Sequence, residues 1–355
     1  MRDWYKALGP ILRRLPAETA HRLALSALEY GLVPAPVTAT DPILKLKAFG
    51  HDLPNPVGLA AGFDKNARVF APAARLGFGF VEVGGITPRP QTGNPRPRLF
   101  RLEEDRALIN RMGFNSDGLD AIAARIEKRA RGKDFLAVNL AANTDSKDPA
   151  EDYAILARRL APLADLVVVD VSCPNTANGK LFQSRAPLND LLGRLKPVLG
   201  STRTALKVSP DLTDTEKADI TGLALEHGID AMVVANTTAE RPATLRSAYK
   251  GERGGLSGPP VREMSLRLLA EVYRTARGRM TLVGVGGIAT GEDAYAYIRA
   301  GATLVQLYTA LVYQGPLLVP RLKAELAYLL RRDGFDSLKA AVGAGLGARR
   351  ALQPA

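Results

Sequence analysis

Cysteine is nearly missing from this chain: there is one in 355 residues, with only three histidines beside it. A single cysteine excludes a disulfide framework within the chain and fits a reducing compartment. So few histidines, and no Cys/His cluster, leave no spacing that suits zinc, so no metal is expected. No apolar run approaches the roughly 20 residues that span a bilayer. The start, Met1-Arg2-Asp3-Trp4, lacks the apolar core of a secretory leader. No Gly-x-Gly-x-x-Gly follows a strand-like run to open a helix, which argues against a Rossmann site for NAD. Lys/Arg runs interleaved with aromatics are absent too, so nucleic acid is not an expected partner despite a net charge of +12. That charge reads either as a basic, solubilising surface or as attraction to a negative membrane face or an anionic substrate.

What is present is one pattern repeated. Eight short runs, at 55–60, 79–84, 135–140, 165–172, 204–209, 230–236, 281–286 and 303–308, have nearly continuous Val/Ile/Leu-rich interiors. Continuous rather than alternating apolar character belongs to parallel strands buried on both faces. Each run ends in a cluster drawn from Gly, Asn, Lys, Asp, Ser, Cys and Thr, and most are separated by enough chain for a helix. Eight strand–helix units in about 250 residues match the arithmetic of a (β/α)8 barrel, the TIM barrel, whose chemistry sits at the C-terminal strand ends. The expected barrel covers residues 37–340.

Residues 1–36 read differently. Trp4, Ala7, Leu8, Ile11, Leu12 and Leu15 recur at helical spacing among Lys6, Arg13 and Arg14. Pro16 then opens a second helix over 17–30, which Gly31 and Pro34-Ala35-Pro36 stop. Two amphipathic helices here suit either a hairpin packed on the barrel or a patch lying on a membrane surface. Residues 341–355, rich in Ala, Gly and Arg, read as a flexible tail. Two connections, 87–117 and 238–260, exceed a normal strand-to-helix loop and suggest lids or binding loops.

The strand ends carry the chemistry. Ala60-Ala61-Gly62-Phe63-Asp64-Lys65 combines small residues, which let a planar ligand approach the backbone, with a cation. Lys207, on the otherwise apolar Ala205-Leu206-Lys207-Val208, is costly unless paired or facing the barrel mouth. Gly284-Val285-Gly286-Gly287-Ile288 and Gln306-Leu307-Tyr308-Thr309 follow the positions where barrels bind phosphate, and Gly254–258 can close over the same group. Together they point to a phosphorylated cofactor such as FMN. In Asp170-Val171-Ser172-Cys173-Pro174-Asn175-Thr176 the lone thiol sits just past a buried strand. An unperturbed thiol titrates near about 8.5, so Cys173 is a candidate base. Asn110, Asn115, Asn139, Asn175 and Asn236 supply carboxamides, which suit a flat anionic heterocycle.

These segments, with Leu15-Pro16-Ala17-Glu18-Thr19-Ala20-His21, Thr87-Pro88-Arg89-Pro90-Gln91-Thr92-Gly93-Asn94 and Asn110-Arg111-Met112-Gly113-Phe114-Asn115, resemble dihydroorotate dehydrogenase over nearly the whole chain. The likeness is closest to the membrane-associated, quinone-using class 2 form. The resemblance implies FMN held by Ala61, Gly62, Phe63, Asp64, Lys65, Gly85, Asn139, Asp170, Lys207, Ala235, Gly258, Gly287, Tyr308 and Thr309. It implies dihydroorotate bound by Lys65, Asn110, Arg111, Met112, Gly113, Phe114, Asn175, Asn236 and Thr237. It implies Cys173 as catalytic base for the C5 proton, Phe114 and Thr176 along the proton's exit, and hydride transfer from C6 to the flavin. It further implies a membrane quinone as acceptor, in a tunnel lined by His21, Arg101 and Tyr308, and peripheral attachment to the cytoplasmic face of the membrane. The resemblance implies, through orotate formation, a place in pyrimidine biosynthesis.

Four positions depart from the class 2 pattern. Cys173 stands for the usual Ser, Asp170 for an Asn, Gly85 for a hydroxyl residue and Ala235 for Thr. They keep two other readings open: an FMN barrel acting on another reduced pyrimidine, with a class 1-type acceptor or like a tRNA dihydrouridine synthase, and a membrane-bound relative without activity.

Overall fold

The computed structural model describes residues 3–36, 40–129, 132, 134–172 and 180–347. Cys173, Asn175 and Thr176 lie outside the described residues. Each of the eight expected runs overlaps one strand: β1 (Val57–Asp64), β2 (Phe80–Ile86), β3 (Phe135–Leu140), β4 (Leu166–Asp170), β5 (Thr204–Val208), β6 (Ala231–Val234), β7 (Thr281–Val285) and β8 (Leu304–Leu307). They are parallel, pair in chain order and close between β8 and β1, a (β/α)8 barrel.

Side chains alternate across each strand with period two, which sorts them into two populations. Leu136, Val138, Val167, Val169, Leu206 and Val208 face outward and join the large core under the helices. Phe80, Phe135, Leu166, Val168, Ala205, Val233, Val283 and Leu304 face inward and fill the barrel. Continuing the inward rows toward the C-terminal ends gives Glu82, Asn139, Asp170, Lys207 and Gln306, all buried. The alternation that packs the barrel's floor therefore delivers a polar layer at its mouth.

The other end is sealed by a hairpin not anticipated from sequence, Leu46–Ala48 paired antiparallel with His51–Leu53. Ala48 and Leu53 join the inner core, with Phe49, and the His51 ring meets Phe135 edge-on at 5.2 Å. At the mouth, the two long connections pair with each other: Leu99–Leu102, Ala107–Asn110 and Gly255–Ser257 form an antiparallel sheet.

The N-terminal pair is present as α1 (Tyr5–Leu12) and α2 (Ala17–Glu29). Tyr5 Oη donates to the Val312 carbonyl at 2.8 Å. Glu18 accepts from Arg96 and Arg98, and Glu29 from Arg68, so both helices stand beside the mouth. Residues 341–347 stay on the barrel, and the rest of the expected tail, 348–355, lies outside the described residues. Ala341 is buried and Gly343 N–H donates to the Ile298 carbonyl, because Gly343 fits against Tyr273 where a Cβ would not.

Gly58 in β1 faces the same inner packing. A Cβ there would lie 2.2 Å from Cζ of Phe80, a ring only 2% exposed. Gly58→Ala is expected to cost about 1–3 kcal/mol through overpacking. The loss would be read from the denaturant midpoint, and Phe80→Leu in the same chain should recover part of it.

Candidate active site

The inward polar layer is centred on Glu82, which has no exposed surface. Its Oε1 accepts from Asn139 Nδ2 at 2.8 Å and faces Lys207 Nζ at 3.6 Å, while Oε2 accepts from Gln306 Nε2 at 2.6 Å. A buried carboxylate is tolerable only with such partners. Glu82 and Gln306 were not singled out in sequence. The signal was there: Phe80-Val81-Glu82-Val83 places a charge in an apolar strand, by the logic that flagged Lys207.

Beside it stands Asp170, next to Lys207 across the β4–β5 ladder. Its Oδ1 accepts from Ser172 N at 3.0 Å and Ser172 Oγ at 2.8 Å, and Asn236 Nδ2 approaches both carboxyl oxygens at 3.3 Å. Burial pushes the Asp170 carboxyl above its ordinary range, against the pull of Lys207. Asn236 also reaches Ser172 Oγ at 3.0 Å and accepts the Thr237 N–H with its own oxygen. So Asp170, the departure from the pattern, orients the carboxamide at the end of β6.

Most of the expected site residues converge on one cavity above this layer. Ala61, Gly62 and Lys65 come from β1 and its loop, Gly85 from β2, and Asn139, Asp170 and Lys207 from β3 to β5. Ala235, Asn236, Thr237 and Gly258 follow β6, Gly287 follows β7, and Tyr308 and Thr309 follow β8. The roof is Asn110, Met112, Gly113 and Phe114, and His21 reaches in from α2. Ser257 joins them and shares a 2.8 Å hydrogen bond with Thr309 Oγ1.

Three expected residues turn their side chains away from this cavity. The Asp64 carboxylate accepts from Arg68 N and Val69 N, holding the turn after β1. Phe63 packs edge-on to His21 and Tyr308. The Arg111 side chain turns outward to Glu252 at 2.7 Å and lies over Phe100. Arg101, expected in the quinone tunnel, donates to the Leu15 carbonyl between α1 and α2. Burial and nearby Lys65 push the His21 ring down to about 4, so it is neutral at physiological pH.

The cavity suits a flavin on two counts. Asn139 Oδ1 and Gln306 Oε1 are buried without a protein partner, because both carboxamides spend their N–H groups on Glu82. Unpaired buried acceptors call for a ligand bearing N–H donors. The glycine loops also touch: a Cβ on Gly287 would lie 3.0 Å from the Gly258 carbonyl oxygen. Gly85 has its own reason, since a Cβ there would meet the Phe114 ring at 2.9 Å. Among the described residues no group of His, Cys, Asp and Glu could hold a metal ion.

The match to known proteins follows this geometry. The dihydroorotate dehydrogenase family model matches residues 43–330. The chain belongs to the dihydroorotate dehydrogenase family. Dihydroorotate dehydrogenase (quinone) of Rhodospirillum rubrum is 50% identical over 350 residues, covering 97% of this chain and 95% of that one. Its counterpart in Azorhizobium caulinodans is 48% identical over 354 residues, with 97% and 99% covered. The crystal structure of DHODH from Eimeria tenella in complex with ferulenol superposes with a TM-score of 0.90 at 37% identity, over 97% of this chain and 99% of that one.

Within that family, Asp170 makes a pH signature expected here. Its carboxyl keeps its proton above the ordinary range, so ionisation at higher pH adds a negative charge to the cavity wall, which would repel an anion bound there. Orotate affinity should fall several-fold as pH rises through that ionisation, and Asp170→Asn should flatten the profile. Calorimetric titration across pH checks it.

Proposed function

We propose that this barrel mouth oxidises dihydroorotate to orotate on bound FMN, with Cys173 as the base and the two N-terminal helices giving access to a membrane quinone. Dihydroorotate oxidation with a quinone acceptor is the reaction of the quinone-dependent family members that match this chain along nearly its whole length. The observation that carries the reading is the convergence of Lys65, Asn139, Lys207, Asn236 and Gly287 on one cavity from five different strand ends. No feature favours another reduced pyrimidine or an RNA substrate.

The residues suited to hold FMN are Ala61, Gly62 and Lys65 at one rim, Asn139 and Lys207 beneath, and Gly258, Gly287 and Thr309 around the phosphate. When bound, FMN supplies an acceptor for the two electrons leaving C6 of dihydroorotate. Lys65 offers a cation to the substrate carboxylate, and Asn110, Asn236 and Thr237 offer hydrogen bonds to its amide edges. Cys173, as thiolate, takes the C5 proton, with Phe114 and Thr176 beside the path by which that proton leaves. The Glu82 network fixes Asn139 and Lys207 before ligand arrives, so little reorganisation accompanies binding.

The membrane reading rests on what α1 and α2 leave uncovered. Leu8, Ile11, Leu23, Tyr30 and Leu32 are exposed, near Lys6, Arg14 and Arg22. Large side chains each gain about 1.5–3 kcal/mol when fully buried in lipid, so four or five support reversible docking. No helix among the described residues is long and apolar enough to cross a membrane. The proposed attachment is peripheral, to the cytoplasmic face, with neutral His21 and Tyr308 between the helices and the cavity and Arg101 bracing the turn between α1 and α2.

Cys173→Ala should lower the limiting rate of flavin reduction by dihydroorotate at neutral pH by about 100-fold or more while FMN stays bound. Stopped-flow absorbance measures both, and an undiminished rate removes Cys173 as base. Deleting residues 1–36 should leave that limiting rate intact at saturating dihydroorotate but abolish liposome binding and most quinone turnover. Undiminished quinone turnover would mean that the acceptor arrives by another route.

A further inference from the structure

The loop 110–114 has a backbone it would not choose alone. Gly113 and Phe114 are consecutive residues at φ of +70° and +50°, the second without glycine's freedom. Segment 91–98 holds them there. Gln91 Nε2 donates to the Gly113 and Phe114 carbonyls at 3.2 and 2.9 Å, Asn94 N to the Met112 carbonyl at 3.0 Å, and Asn94 Nδ2 to the Arg111 carbonyl at 2.9 Å. The packing is close enough that a Cβ on Gly93 would lie 2.2 Å from the Met112 oxygen.

That bracing segment is itself held at one point. Arg98, only 6% exposed, donates Nη1 to the Thr92 and Asn94 carbonyls at 2.5 and 3.0 Å. Its Nε and Nη2 form a fork on Glu18 of α2, at 3.2 and 2.8 Å, and Arg96 closes on the same carboxylate at 3.0 and 2.9 Å. The guanidinium thus spans from the first turn of the N-terminal helix to the loop that braces the cavity's roof. A lysine could not make both sets of bonds.

We propose that Arg98 is a positioning residue for the dihydroorotate loop, and that α2, through Glu18, sets how tightly the substrate is held. The assignment of loop 110–114 to dihydroorotate, made above, underlies it. Occupancy of the helix pair and affinity for the pyrimidine are then coupled, although α2 lies on the acceptor side of the cavity. Partial burial works against the Glu18 charge, but the two arginines outweigh it and hold its carboxyl down to about 2. The clamp therefore stays charged across the working pH range.

The test uses the full FMN-loaded chain and its Glu18→Gln, Arg98→Lys and Asn110→Ala variants. Glu18→Gln and Arg98→Lys should each raise the orotate Kd by calorimetry, and the KM for dihydroorotate, by about 5- to 50-fold. The limiting rate of flavin reduction should stay within about twofold, and amide exchange at 110–114 should accelerate. Unchanged orotate Kd in both variants, with Asn110→Ala weakened, overturns the coupling alone. A fall in limiting rate matched by a general loss of melting temperature and of exchange protection throughout the barrel overturns it as well. Unchanged orotate affinity in Asn110→Ala removes the loop from the substrate site, and the proposal with it.

Discussion

One buried carboxylate organises this protein. Glu82, with no exposed surface, is the shared acceptor for Asn139 and Gln306 and the ion-pair partner of Lys207. Its charge would be prohibitive inside the barrel without them, and their polarity would be wasted without it. Because each carboxamide turns its N–H toward Glu82, each is left with a buried oxygen that has no protein partner. The site's hydrogen-bonding character is set one layer below the ligand, by a residue placed to touch its neighbours.

The same layer explains how a second acid is accommodated. Asp170 brings a carboxyl to a mouth that must accept an anion, and it is enclosed by Ser172, Asn236 and the Lys207 charge. Gly85 is likewise not an empty position, since Phe114 occupies the space a side chain would use. Two of the four departures from the family pattern thus have local physical causes. Nothing in the structure explains the exchange of Thr for Ala235, and Cys173 lies outside the described residues.

Much of this was legible before any coordinates. Continuous Val/Leu/Ile runs gave all eight barrel strands, because two-sided burial leaves no room for polar interruption except where a function needs one. Strand-end residues such as Lys65, Asn139 and Gly287 were found because the barrel leaves them a single face on which to meet. Glu82 was missed because it lies deep within its strand rather than near the end, whereas Gln306, quoted in the strand-eight motif, was given no role of its own. The hairpin at 46–53 was hidden by its brevity. The side chains of Arg111 and Asp64 face away from the cavity, since neighbouring positions in a motif share an address but not an orientation. Arg98 was invisible as more than one arginine among many, because its partners lie 4, 6 and 80 residues away.

The roof over the mouth also bears on the order of assembly. Asn110 pairs with Gly255, 145 residues later, so the sheet joins a connection from the first half of the barrel to one from the second. Such distant ladders form late, after nearer contacts have drawn the ends together. A nascent chain that has not yet emerged past position 257 can already close strands β1 to β5 against one another, yet it has no ceiling under which a pyrimidine could be held. The reactive pocket is in that sense the last room of the building to be finished.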